Sequence, residues 1–124
     1  MTDKIKVLFV DDQKLILQGI KRMLREKRHK WDIEYVESGI EALAHMRKNG
    51  ADVIVSDMRM PGMDGAALLK LIRKQNPETV RMILSGFSEK QNLLESARYI
   101  HQYLSKPISS EEVISVIDES MDKL

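Results

Sequence analysis

Apolar residues fall in short blocks with two different periods. Ile5-Lys6-Val7-Leu8-Phe9-Val10 is almost continuously apolar and stops at the acidic pair Asp11-Asp12. Ala51-Asp52-Val53-Ile54-Val55-Ser56 stops in the same way at Asp57, Val80-Arg81-Met82-Ile83-Leu84 at Ser85, and His101-Gln102-Tyr103-Leu104 at Ser105-Lys106-Pro107. Short runs rich in β-branched and aromatic residues, bounded by turn formers, predict strands. Their largely unbroken apolar character predicts strands covered on both faces, the habit of parallel sheets. Asp32-Ile33-Glu34-Tyr35-Val36 alternates polar and apolar instead and predicts an edge strand.

Between these runs the spacing changes to that of helices. Leu15, Ile16, Ile20, Met23 and Leu24 form one stripe, Ala42, Leu43 and Met46 a second, Leu68, Leu69 and Ile72 a third, and Val113, Val116, Ile117 and Met121 another. Asp64, and Ser109 or Ser110, stand where N-caps are needed, and Asn49-Gly50 and Asn76-Pro77 punctuate helix ends. The stretch from Glu89 to Ile100 predicts one more helix on a weaker pattern, diluted by Gly86, Ser88 and Asn92.

Strand and helix alternating along the whole chain predict an α/β fold, a doubly wound parallel sheet with right-handed crossovers. Ligands of such sheets bind outside the carboxyl ends of the strands. Those ends here carry Asp11 and Asp12, Asp57, Ser85 and Lys106. Converging carboxylates repel one another unless a cation lies among them. Magnesium (Mg²⁺) suits carboxylate, carbonyl and water ligands, whereas the missing Cys and the absence of His at these strand ends disfavour softer metals. Lys106 offers a point charge for a phosphoryl oxygen and Ser85 a hydroxyl donor. Together they are the parts needed to transfer a phosphoryl group to an aspartate, with Asp57 attacking in line.

Composition narrows the setting. The chain has 124 residues, which fits a single domain over 1–124. Its 20 Lys and Arg against 19 Asp and Glu leave a net charge of +1, without the basic excess of a nucleic-acid binder. The basic group Lys21-Arg22, Arg25, Lys27-Arg28 and His29-Lys30 reads as a solvated helix end suited to the C-terminal dipole. Zero Cys excludes a disulfide scaffold and thiol catalysis. Neither a membrane-spanning run nor a signal-peptide core is present, so a cytoplasmic location is expected. His29, His45 and His101 show no ligand spacing, and no chemistry is assigned to them.

Asp11-Asp12 after the first strand, Asp57-Met58-Arg59-Met60-Pro61-Gly62-Met63-Asp64-Gly65 after the third, Ser85-Gly86 after the fourth and Lys106-Pro107 after the fifth resemble the receiver domain of bacterial two-component response regulators. The resemblance covers the whole chain in order and spacing. It implies a flavodoxin-like fold: a five-stranded parallel sheet in order 2-1-3-4-5 flanked by five helices. It implies Asp57 as phosphoacceptor, and Asp12, Asp57 and the Met58 backbone carbonyl as Mg²⁺ ligands, with Asp11 supporting through water. Ser85 and Lys106 would contact the phosphoryl group, and Tyr103 would be the aromatic switch residue. The implied partners are a sensor histidine kinase or phosphotransfer protein as donor, a downstream output domain or protein, and a second copy where the domain dimerises. The switching surface would be the helix before the fifth strand, that strand and the last helix.

Local chemistry supports several of these roles. Gly62 and Gly65 are expected to allow positive φ beside the site, Pro61 stiffens that loop, and Lys106-Pro107 is a candidate cis bond. Some residues depart from the family pattern. Ser85 stands where Thr is commoner, Gly86 where Ala is, and Arg98-Tyr99-Ile100 replaces a Gly-Ala pair before the fifth strand. Arg59 and Phe87 occupy the positions that tune the lifetime of the aspartyl phosphate, and their bulk should lengthen it.

The expected activity is that of a switch, not of a turnover enzyme, beyond self-catalysed phosphotransfer and autodephosphorylation. One alternative is a Mg²⁺-dependent aspartyl-phosphate phosphohydrolase. Haloacid-dehalogenase-like enzymes need an acid two residues past the nucleophile, where this chain has Arg59, and a cap domain does not fit in 124 residues. Another is a phosphorylation-independent interaction module. The stretches Ser85–Ser88 and His101–Pro107 also look similar to receivers joined to HD-GYP or HDOD output domains, which would make the natural protein longer.

Overall fold

The computed structural model describes residues 4–25, 30–86 and 98–122. In chain order these form β1 (Ile5–Val10), α1 (Lys14–Met23), β2 (Trp31–Val36), α2 (Gly39–Lys48), β3 (Val53–Asp57), α3 (Gly65–Gln75), β4 (Val80–Ser85), β5 (Gln102–Ser105) and α4 (Ser110–Asp122). The five strands pair in parallel in the order β2-β1-β3-β4-β5. All five predicted strands are present, shifted at their ends by one or two residues, so that Asp57 and Ser85 are the last residues of β3 and β4. The helix predicted over 89–100 falls largely outside the described residues. At its end Arg98 and Tyr99 form a turn rather than helix. Four helices are therefore seen among the described residues.

Strand alternation divides the core in two. Val7, Phe9, Val53, Val55, Val80, Met82, Leu84 and Leu104 meet α1 and α4 through Leu17, Ile20, Val113 and Ile117. Leu8, Val10, Ile54 and Ile83 meet α2 and α3 through Ala42, Met46, Leu68, Leu69 and Ile72. Both faces of β1, β3 and β4 are thus covered, which explains their unbroken apolar runs. At one edge β2 keeps its polar alternation. At the other, β5 buries only Leu104 and holds the sheet through β4 alone.

Side-chain caps fix the helix starts that frame the carboxyl edge. Asp64 accepts from Ala67 N–H at 2.8 Å, Ser109 Oγ from Glu112 N–H at 3.2 Å, and Ser38 Oγ, which the sequence pattern did not single out, from Glu41 N–H at 3.1 Å. Gly50 and Gly62 have positive φ, 69° and 81°. Gly65 does not, contrary to the expectation from sequence. It is needed for closeness instead: a Cβ there would lie 2.3 Å from the Asp57 carbonyl oxygen.

Candidate functional site

The carboxyl ends of β1 and β3 bring three carboxylates together. Asp11, Asp12 and Asp57 each offer an oxygen within 4.8 Å of the others. Asp11 ends the β1–β2 ladder, its N–H donating to the Val36 carbonyl at 3.2 Å. Its Oδ1 accepts from Gln13 N–H at 2.9 Å, at the mouth of α1. Its Oδ2 is buried with no hydrogen-bond partner. Burial pushes the Asp11 carboxyl above its ordinary 3.8; the Gln13 N–H pulls it back down, and the Asp57 charge adds to the rise.

A buried carboxylate oxygen left without a donor, beside two more carboxylates, is an arrangement that a hard cation would relieve. The donor set is all oxygen, so the residues present fit a magnesium-type ion.

Asp57 itself is buried and pairs with Lys106, whose Nζ donates to Asp57 Oδ1. The backbone delivers this cation: Lys106 N–H donates to the Ser85 carbonyl at 3.0 Å, directly after the Ser85–Ser105 pairing of β4 and β5. The Lys106–Pro107 peptide is cis, as the sequence suggested. Ser85 is buried at the end of β4. Tyr103 lies on β5 opposite Ile83 and is 39% exposed. Arg59 is exposed two residues beyond Asp57, and Phe87 lies outside the described residues.

The loop after β3 is fastened tightly. Ser56 Oγ donates to the Asp57 carbonyl at 2.9 Å, Met58 N–H to the Leu84 carbonyl at 3.0 Å, and Gly65 N–H to the Met58 carbonyl at 2.8 Å. Ser56 went unremarked in the sequence, although a hydroxyl in an otherwise apolar strand was a usable signal. The Met58 carbonyl, expected to face a metal, already spends one of its two lone pairs on Gly65.

A sheet of order 2-1-3-4-5 with acids, a hydroxyl and a lysine at its carboxyl edge matches a known family. The profile described as "Response regulator receiver domain" matches residues 7–118. The chain belongs to this family. The receiver is 29% identical over 126 residues to the transcriptional regulatory protein YesN of Bacillus subtilis, covering 96% of this chain and 33% of that protein. It is 33% identical over 122 residues to the sensor kinase CckA of Brucella abortus, covering 94% of this chain and 12% of that protein. The chain therefore spans a third or less of the length of these curated relatives. A response regulator receiver domain protein from Clostridium thermocellum has the same fold, with a TM-score of 0.87 at 29% identity and coverage of 96% of this chain and 95% of that one. Receivers of this family are signalling modules of two-component systems. Among the described residues no helix is long and apolar enough to cross a membrane.

Proposed function

We propose that this receiver accepts a phosphoryl group on Asp57 from a phosphohistidine or small acyl-phosphate donor and switches partner binding in response. The observation that carries this reading is the contact of the Lys106 ammonium with the Asp57 carboxylate inside a group of three acids. An Asp57 oxygen attacks phosphorus and forms the acyl phosphate, while the bond from phosphorus to the donor breaks and the donor keeps its electron pair. Lys106, drawn from Asp57 Oδ1 to a phosphoryl oxygen, offsets the added negative charge, and the Ser85 hydroxyl donates to another oxygen. Asp12 and Asp57 would hold Mg²⁺, with Asp11 behind them and a carbonyl of the loop after β3. The commitment of the Met58 carbonyl to Gly65 leaves its second lone pair, or the carbonyl of Arg59, for that place. Bound there, the ion neutralises charge on the transferring group.

The phosphate brings about −1.5 to −2 charges to one point. Ser85 and Lys106 carry the change to β4 and β5, so Tyr103 and the surface of β5 and α4 are the proposed output face. That surface would engage an output domain or protein, of HD-GYP or HDOD type by analogy, or a second copy. Arg59 and Phe87 would shield the acyl phosphate from water. The acid that a phosphohydrolase would need two residues beyond Asp57 is replaced by Arg59, which favours a switch over turnover.

Intact mass after incubation with acetyl phosphate and Mg²⁺ tests the assignment. One added phosphoryl group is expected, absent in Asp57→Asn and in EDTA. If neither a mass gain nor binding of beryllium fluoride is seen, the domain is a phosphorylation-independent interaction module.

A further inference from the structure

At the opposite, amino-terminal end of β4 and β5 lies a second buried charge. Arg81, the second residue of the otherwise apolar β4, is 5% exposed. Its Nε donates to the Tyr99 carbonyl at 2.6 Å, and its Nη1 to the Pro77 and Thr79 carbonyls at 3.2 and 3.0 Å. The guanidinium thereby ties the loop before β4 to the segment that leads into β5. The Arg81 backbone is also engaged: its N–H donates to His101 Nδ1 at 2.9 Å, and its carbonyl accepts from His101 N–H at 2.8 Å. The β4–β5 ladder begins one residue later, at Met82–Gln102. His101 thus adds one more rung to a strand only four residues long, with an imidazole nitrogen in place of a carbonyl. That strand leads directly into Lys106.

We propose that Arg81 and His101 form a proton-sensitive clasp that holds β5 in register and so positions Lys106 against Asp57. Nδ1 can accept the Arg81 N–H only while it carries no proton. A protonated ring would replace the acceptor with a second donor facing an N–H. Among the described residues the charge acting on His101 is also a cation, Arg81 of β4, whose own charge is repelled by Arg73 of α3, while Lys70 of α3 lies over the neighbouring Tyr99 ring at 5.8 Å. Although His101 is exposed as a residue, partial desolvation of its ring, and then the Arg81 charge, lower its pKa from the ordinary 6.5. Arg81 and His101 touch none of the reacting groups and act as positioning residues. The link to Lys106 rests on the phosphoacceptor reading, whereas the hold on β5 does not.

The test compares wild type with His101→Asn, which keeps a neutral acceptor, and His101→Leu, which has none, at about pH 7.5 and about pH 5.5. Hydrogen exchange of the Leu104 and Lys106 amides, whose N–H groups face β4, is read against amides of β1 and β3. At the lower pH, β5 amides of wild type should exchange roughly fivefold faster than those of His101→Asn, as for loss of one hydrogen bond, with β1 and β3 unchanged. His101→Leu should show the loosened β5 at both pH values. Acetyl phosphate uptake should follow the same pattern. Equal β5 exchange in wild type and His101→Asn at the lower pH, or a change spread evenly over all strands, would overturn the clasp. A local change in β5 with identical uptake would overturn its link to Lys106. Absence of both wild-type uptake and beryllium fluoride binding at both pH values would refute the Asp57 reading, while the exchange comparison still decides the clasp.

Discussion

The two ends of the β4–β5 pair bury charge in opposite ways. At the amino-terminal end a single guanidinium is matched by three carbonyls, so a costly buried cation is satisfied by fixed dipoles. At the carboxyl end three acids converge, the Lys106 ammonium pairs with Asp57, and one Asp11 carboxylate oxygen has no hydrogen-bond donor. Satisfied burial locks a segment in place. Unsatisfied burial holds a site in a state that a cation or a transferred group can relieve, and stability is given up for reactivity there.

Neutralising a charge should therefore have opposite signs at the two ends. Arg81→Met strips donors from the Pro77, Thr79 and Tyr99 carbonyls and should destabilise the fold by about 3–4 kcal/mol in urea unfolding. A loss below about 1 kcal/mol would mean that water satisfies those carbonyls and the contrast fails. Gly65→Ala attacks the other end through packing, since its Cβ would press on the Asp57 carbonyl and the Ile83 side chain. It should cost about 2–3 kcal/mol and slow phosphoryl uptake, whereas Gly62→Ala, strained only in φ, should cost about 1 kcal/mol. Asp11→Asn should raise stability in EDTA by about 1 kcal/mol, roughly 4 °C in melting temperature, by removing one of three crowded charges. The same variant should lose the stabilisation that Mg²⁺ gives the wild type.

The carboxyl end was far more legible in the sequence than the amino end. Asp11, Asp12, Asp57, Ser85 and Lys106 each lie within two residues of the end of a predicted strand, so short strand-forming runs and a parallel sheet were enough to bring them to one edge. Gly65 was identified as special for the wrong reason, because a close backbone approach and a positive φ both select glycine and the chain alone does not separate them. Arg81 and His101 are twenty residues apart and meet only through the β4–β5 register, which local spacing cannot supply. The signal that remained was a lone cation inside Val80–Leu84: a charge in a strand buried on both faces must have partners somewhere.

The smallest expected effect is the most discriminating, because acid acts on both ends at once. His101 has a folded pKa below its unfolded 6.5, so the neutral ring favours the fold. Its contribution is complete above 6.5 and is lost as the pH falls through 6.5 toward the folded value. Asp11 has a folded pKa above its unfolded 3.8, so its charged form opposes the fold at neutral pH. That opposition is relieved as the pH falls through the folded value toward 3.8. Wild-type stability in EDTA should therefore dip on mild acidification and recover part of the loss further down. In His101→Asn the dip should shrink, and in Asp11→Asn the recovery should shrink, each leaving the other limb in place. A melting-temperature profile in which either variant changes both limbs would mean that the two ends of the sheet are coupled rather than separate.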